Sequence, residues 1–445
     1  MVEMPNREVL RAWMGLAALA LALAGAMAVL LALSRIPGSQ TLFPWPVAFF
    51  ERGLVAHVVF SFVVWFLAAF GLMLALASRP ATASTIDRIA LGGAAASFVL
   101  LLVPSLTDRG EPTLNNYVPA ITDPLYYLGL ALLAGAMLLP VGRFLADLAR
   151  GALARTPHAL VLGAGSAVYV LAIVAFVLSA VALAPAAPSF DFNEALFWGG
   201  GHILQFLNVA ILIAAWIALA DDVLGGSGNS AAFRLAAGLL VLGAGAGLGL
   251  DLALDINSST RWEAFALLQY ALAPAPLLAA GAIARRLIPA VRGRPDIRRD
   301  PAFLALALSV AVFGVGGLLG LFVDGADTRT PAHYHGVIGG INLALMGVFL
   351  RIALPRAGRP PRGSRVLAVQ IWLYGAGQAL ASLGLFWAGG YGAPRKAAGE
   401  AQGLVELGAK LGLYLNGFGA LIAVMGGILF IVTLAGAFLR RERSV

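Results

Sequence analysis

No cysteine occurs among the 445 residues, which removes disulfides, iron–sulfur clusters and thiolate-held metals from consideration. Charge is scarce too: 12% of residues are Asp, Glu, Lys or Arg, against 60% that are hydrophobic. A water-soluble domain of this length could not hide so much apolar surface. Histidine is rarer still, at five residues, so any metal must be held by those few imidazoles or by Asp, Glu, Met or Tyr. The net charge of +8 does not point to nucleic acid. The basic residues sit in segments between apolar runs, where they set the orientation of a membrane protein.

What is abundant is apolar sequence, in runs of roughly 20 residues that suffice to cross a hydrocarbon core of about 30 Å as helix. Runs this long exclude the strands of a membrane barrel. Read between charged or Pro/Gly-rich breaks, they predict twelve spans, over residues 11–34, 53–78, 87–106, 124–142, 158–184, 195–220, 231–254, 262–284, 301–323, 331–354, 366–389 and 411–438. The 53 glycines suit close helix packing, since small residues let backbones approach. The first run is too long, and its flank too poor a cleavage site, for a removable signal peptide. No soluble domain or internal repeat interrupts the series. The expectation is an all-α integral membrane protein with residues 1–445 forming one membrane domain in the lipid bilayer.

Positive charge lies mostly on one side. The segment 285–300 carries Arg285, Arg286, Arg292, Arg294, Arg298 and Arg299, and 351–365 carries Arg351, Arg356, Arg359, Arg362 and Arg365. Both follow even-numbered spans, as do Arg440, Arg441 and Arg443 in the tail. The opposite loops hold Asp108, Glu111, Asp191, Glu194, Asp324 and Asp327. With twelve spans, both termini are then expected in the cytoplasm, with the chain in a bacterial inner membrane.

Against this background the histidines stand out. His158 opens the fifth span at its cytoplasmic end, while His57, His202, His333 and His335 all fall near the outer ends of spans two, six and ten. Ionisable residues inside a membrane are costly and usually functional. His333 and His335 are two residues apart, so on a helix their side chains point about 200° apart. They cannot easily grip one ion, but they can serve separate sites on opposite faces. Imidazole is a common axial ligand of haem iron.

Several motifs, in matching order over most of the chain, resemble subunit I of the haem-copper respiratory oxidases and their nitric-oxide-reductase relatives. Thr330-Pro331-Ala332-His333-Tyr334-His335-Gly336-Val337 resembles that family's His-x-His helix, and Phe197-Trp198-Gly199-Gly200-Gly201-His202 its sixth-span tryptophan–histidine motif. Pro112-Thr113-Leu114-Asn115-Asn116-Tyr117 is similar to its Asn-Asn stretch, and Trp387 to Lys396 to the end of its eleventh span. The resemblance implies a subunit I-like bundle with two haems, expected b-type. One would be a low-spin haem between His57 and His335, the other a high-spin haem on His333 with an open face towards His202. It also implies that His202 is a possible ligand of a distal metal, that Trp198 walls the distal pocket, and that Arg395 and Lys396 pair with haem propionates. An outer-side donor such as cytochrome c, and further oxidase subunits, would be partners. The expected activity is an oxidoreductase passing electrons to a haem that binds O2 or NO, with His333 and His202 as its catalytic pair.

The departures are equally specific. The family's span-seven His-His pair falls near Gly249 and Leu250, and span seven has no histidine. The tyrosine four residues after the sixth-span histidine is Phe206, and Gln269 is the polar residue nearest the missing span-eight lysine. A lone His202 is not expected to hold copper, which needs three or four ligands. The alternative is therefore a non-catalytic haem protein, an electron conduit or gas sensor that has lost the copper site. A haem-free transporter is a weaker alternative, since no charged, broken central helices are evident. Asp251 and Asp255, four residues apart, are expected as a solvated helix end rather than as ligands facing His202, and Glu194 as a loop carboxylate.

Overall fold

The computed structural model describes residues 6–35, 47–78, 84–184, 186–226, 228, 231–323, 325–361 and 363–440; Asp324, Arg362, Arg441 and Arg443 lie outside the described residues. Among those described, twelve helices are long and apolar enough to cross a membrane. They are α1 (Arg7–Arg35), α2 (Phe49–Ala77), α3 (Thr85–Leu106), α4 (Pro124–Ala149), α5 (Pro157–Leu183), α6 (Phe190–Leu224), α7 (Ala231–Ala253), α8 (Ser259–Gly293), α9 (Pro301–Phe322), α10 (Arg329–Arg356), α11 (Ser364–Gly390) and α12 (Leu407–Leu439). The fold is all-α. Among the described residues, one small sheet pairs β1 (Pro112–Thr113) with β2 (Ala120–Ile121), antiparallel, with Pro112 opposite Ile121. The chain divides into two compact units, Met1–Ala20 with Val58–Ala290, and Leu21–His57 with Val291–Val445.

Helix starts follow local chemistry. Asp123, Thr156 and Asp300 each stand before a proline and accept a hydrogen bond from a backbone N–H of the first turn. A side-chain acceptor at the cap and a proline just inside it satisfy donors that a helix leaves open. Ser189 does the same for α6, accepting from Phe192 N at 3.1 Å. This cap starts α6 five residues before the apolar run, so Asp191 and Glu194 are helical rather than loop residues. His202 consequently lies twelve positions into its helix.

Three helices are far more enclosed than the others. α2, α6 and α10 bury 72%, 83% and 78% of their apolar stretches, against at most 44% elsewhere. These three carry His57, His202, His333 and His335. Just after His57 the helix widens to a π-turn over Val59–Val64, a local distortion common near functional residues.

Within the first unit, α3 and α4 meet where Gly93 packs on Ala136 and Ser97 Oγ donates to Gly129 O at 2.7 Å. Tyr169 of α5 donates to Ala134 O of α4 at 2.8 Å, satisfying a hydroxyl buried in apolar surroundings. Within the second unit, α11 and α12 run antiparallel with their backbones touching. Gly412, Gly419 and Gly426 of α12 abut Ala388, Ala381 and Tyr374 of α11. Contacts seven residues apart on both helices are the spacing of left-handed packing, here held by the absence of side chains. Gly419→Leu should therefore overpack the seam by about 1–3 kcal/mol and lower the thermal midpoint in detergent. Gly427→Leu, where nothing lies within 4 Å, should leave the midpoint unchanged. Equal midpoints for the two variants would show that the seam does not set stability.

Candidate functional site

In the first unit, the site is built around His202, which is 3% exposed. The three glycines before it admit three neighbours. The Asp251 carboxylate fills the notch at Gly199, and a Cβ there would clash with it. The Phe176 ring lies over Gly200, and a Cβ on Gly201 would sit 2.5 Å from Tyr117 Cβ. The run Gly199-Gly200-Gly201 is thus a set of close approaches on an otherwise bulky helix.

Tyr117 comes from the loop between β1 and β2. Its φ of 62° is left-handed, a conformation uncommon for bulky residues and worth roughly 1–3 kcal/mol of strain. The flanking residues hold it there. Asn116 donates to Glu194 from its backbone N at 2.6 Å and from Nδ2 at 2.5 Å. Asn115 Nδ2 donates to Val118 O at 2.7 Å, and Asn193 Nδ2 to Thr113 Oγ1 at 2.9 Å. Glu194 is therefore an anchor for this loop.

The result is a hydrogen bond of 2.7 Å between Tyr117 OH and His202 Nε2. On the other side of the ring, His202 Nδ1 lies 2.8 Å from Trp198 O. A carbonyl only accepts, so Nδ1 carries the proton; in the neutral ring Nε2 accepts and the phenol donates. Burial, and next the Glu194 carboxylate, push the Tyr117 phenol above its usual range, which keeps it a donor. Aromatic rings surround the pair: Trp198 at 4.6 Å and Phe265 at 5.1 Å from the His202 ring, and Trp262 at 4.4 Å from Trp198.

The Asp251 carboxylate corrects the expectation of a solvated helix end. It is buried against Arg261, with Oδ1 accepting from Nε at 2.9 Å and lying 2.8 Å from Nη2 in an ion pair; the two side chains are 3% and 1% exposed. Oδ1 is claimed by the guanidinium, while Oδ2 is buried over Gly199 with no hydrogen-bond partner. Asp255, by contrast, is exposed and caps the turn at Asn257. Phe206 packs on Gly243.

The second unit holds the other three membrane histidines. His57 Nδ1 lies 2.9 Å from Ala24 O, and His333 Nδ1 lies 2.8 Å from Gly316 O. Gly320 of α9 leaves room for the His333 ring, and Gly316 lets the α10 backbone at Gly336 and Val337 approach. His335 meets different neighbours: it stacks beside Tyr334 at 5.3 Å and lies in the electrostatic reach of His57 and Arg35. Arg395 and Lys396 follow α11 in a loop sewn to the start of α10. Thr328 N donates to Ala393 O at 2.9 Å and Thr328 Oγ1 to Leu385 O at 2.7 Å. Arg35 joins this loop, its Nε donating to Ala397 O at 3.0 Å, and both Arg35 and Arg395 act electrostatically on Tyr334. Sequence reasoning passed over Arg35, although a lone arginine at the far end of the first span, away from the arginine-rich loops, was a signal.

Residues 8–422 match the family described as cytochrome c and quinol oxidase polypeptide I. The chain belongs to that family. An uncharacterized protein of Aquifex aeolicus is 31% identical over 340 residues, covering 76% of this chain and 81% of its own. An uncharacterized protein of Rickettsia prowazekii is 25% identical over 500 residues, covering 96% and 95%. Among solved structures, a heme-copper terminal oxidase dimer determined by cryo-EM superposes with a TM-score of 0.79 over 98% of this chain and 85% of that one. At 16% identity that likeness is one of fold. Membership in the oxidase polypeptide I family makes this an integral membrane oxidase-type subunit and implies haem.

The buried ion pair gives a test of the first unit. Asp251→Ala leaves Arg261 buried and unpaired, and should destabilise by about 3–5 kcal/mol. Adding Arg261→Met should restore part of that loss, because the uncompensated charge is then gone. Thermal unfolding of both variants measures this. An Asp251→Ala midpoint equal to wild type would refute the pairing.

Proposed function

We propose that the chain is a haem-binding membrane oxidoreductase subunit with its haem ligands in the second unit, where His57 and His335 hold a low-spin haem and His333 a second, high-spin one, both b-type. The observation that carries this reading is the state of the imidazoles. His57 and His333 each commit Nδ1 to a backbone carbonyl. That bond fixes the tautomer and leaves Nε2 as the free donor atom, as in most metal-ligating histidines. His335 lies near His57 and in the opposite direction from His333 on α10. Haem bound this way takes and passes single electrons, and where one face is open it binds a diatomic such as O2 or NO. Arg35, Arg395 and Lys396 supply positive charge for haem carboxylates, by charge-assisted bonds. The arginines at 285–299 and 351–365 support both termini on the cytoplasmic side of a bacterial inner membrane, with a cytochrome c-like donor opposite.

The residues around His202 do not fit copper. Its Nε2 is taken by Tyr117, and no group of three His, Cys, Asp or Glu that could hold a metal exists among the described residues. That misfit favours the second reading, a haem electron conduit or gas sensor without terminal oxidase chemistry. Oxygen or nitric oxide consumption by the purified protein separates the two.

In reduced-minus-oxidised spectra, His57→Ala or His335→Ala should abolish a bis-histidine low-spin haem signal in protein that still inserts. His333→Ala should remove carbon-monoxide binding while the low-spin signal survives. Low-spin spectra unchanged in both of the first variants would sink the assignment, and so would loss of both haems from well-folded His333→Ala.

A further inference from the structure

We infer that Tyr117 is the resident partner of His202, its phenol taking the nitrogen that a metal would need, so that this histidine is a hydrogen-bonded imidazole rather than a metal ligand. The inference rests on the family reading only for the idea that a metal could be looked for there. The pair itself stands on geometry. Both ring nitrogens are committed, Nε2 to the phenol at 2.7 Å and Nδ1 to Trp198 O at 2.8 Å. A metal would have to displace the phenol from Nε2, and the loop that delivers it is anchored. That loop is held by two short bonds from Asn116 to Glu194. Its left-handed residue is Tyr117 itself, and the backbone of α6 is cut away at Gly201 to receive it.

Nor would a displaced phenol leave a coordination sphere. A transition metal needs three or four ligands of suitable softness. Around His202 stand Trp198, Trp262 and Phe265, none of which ligates metals. The Asp251 carboxylate of α7, seated over Gly199, gives Oδ1 to Arg261, and its one unpartnered oxygen, Oδ2, with His202 falls short of three ligands. Tyr117 is thus a positioning residue: it holds His202 in the Nδ1–H tautomer and closes Nε2 to other ligands.

The test uses the full-length haem-loaded protein in detergent, grown with ring-15N histidine and studied reduced under carbon monoxide so that haem iron is diamagnetic. The His202 resonances are identified by their loss in His202→Gln. Wild type should show a protonated Nδ1 and an Nε2 shifted upfield by an accepted hydrogen bond. Tyr117→Phe keeps the ring and removes the donor, so the Nε2 resonance should move downfield, toward an unbonded value. Gly201→Ala, whose Cβ would clash with Tyr117 Cβ and Cγ and push that side chain away, should move it in the same sense and guards against misfolding of the first variant. In parallel, each protein is incubated with one equivalent of Cu(I) and desalted; wild type and His202→Gln should retain the same copper per chain. A His202 resonance unmoved in both variants overturns the inference, as does about one copper per chain in wild type that His202→Gln loses. Haem content read on the same samples keeps the two proposals apart, because haem-free protein would refute the proposed function while the nitrogen shift still reports on the pair.

Discussion

A bond from a histidine Nδ1–H to a backbone carbonyl recurs at His57, His202 and His333. In hydrocarbon no water relieves an unmet donor, so each imidazole must find an acceptor inside the protein. Meeting that demand at Nδ1 has a consequence at the other side of the ring. It fixes which nitrogen keeps its lone pair and the direction in which that lone pair is presented. Chemistry at each site then depends on what faces Nε2. At His202 it is a phenol held in place by its own loop. The same backbone solution therefore supports either a ligand or a capped, inert imidazole, and the surroundings decide.

Missing side chains make those placements possible. His333 reaches Gly316 O because α9 carries glycine at 316 and 320, where a Cβ would run into the ring or into α10. The Gly199-Gly200-Gly201 run seats a carboxylate, a phenyl ring and a tyrosine side chain within a single turn of α6. On α11 and α12, the same lack of side chains serves packing alone. A glycine-rich membrane sequence thus mixes two uses, and only the partner across the gap distinguishes them.

Much of the architecture is legible in the sequence, because the bilayer demands long apolar runs and because capping residues mark helix starts. The histidines and the empty span seven could be read for the same reason: a polar residue, or its absence, is conspicuous in apolar sequence. What stayed hidden depends on distance along the chain. Tyr117 and His202 are 85 residues apart, and no local pattern announces that a tyrosine will sit in a left-handed turn. Asp251 looked like a helix end in water because Arg261 belongs to the next helix, and only the turn between them brings the pair together. Glu194 was misread because hydropathy sees the start of an apolar run, whereas the helix begins at the Ser189 cap.

The first unit's site is also informative in what its features cost. A tyrosine at φ 62° carries strain. A buried Asp251–Arg261 pair loses hydration on both partners and gains little net stability over apolar residues of the same shape. Three consecutive glycines in a helix interior each weaken it by about 0.5–1 kcal/mol relative to alanine. A histidine merely left behind by a lost metal needs none of these, since an apolar residue at 202 and ordinary residues at 199–201 would pack more stably. The strained turn, the ion pair and the glycines converge on one hydrogen-bonded imidazole. Their joint effect is to place and immobilise it, and this geometry goes with a site that has its own occupant rather than with one in decay.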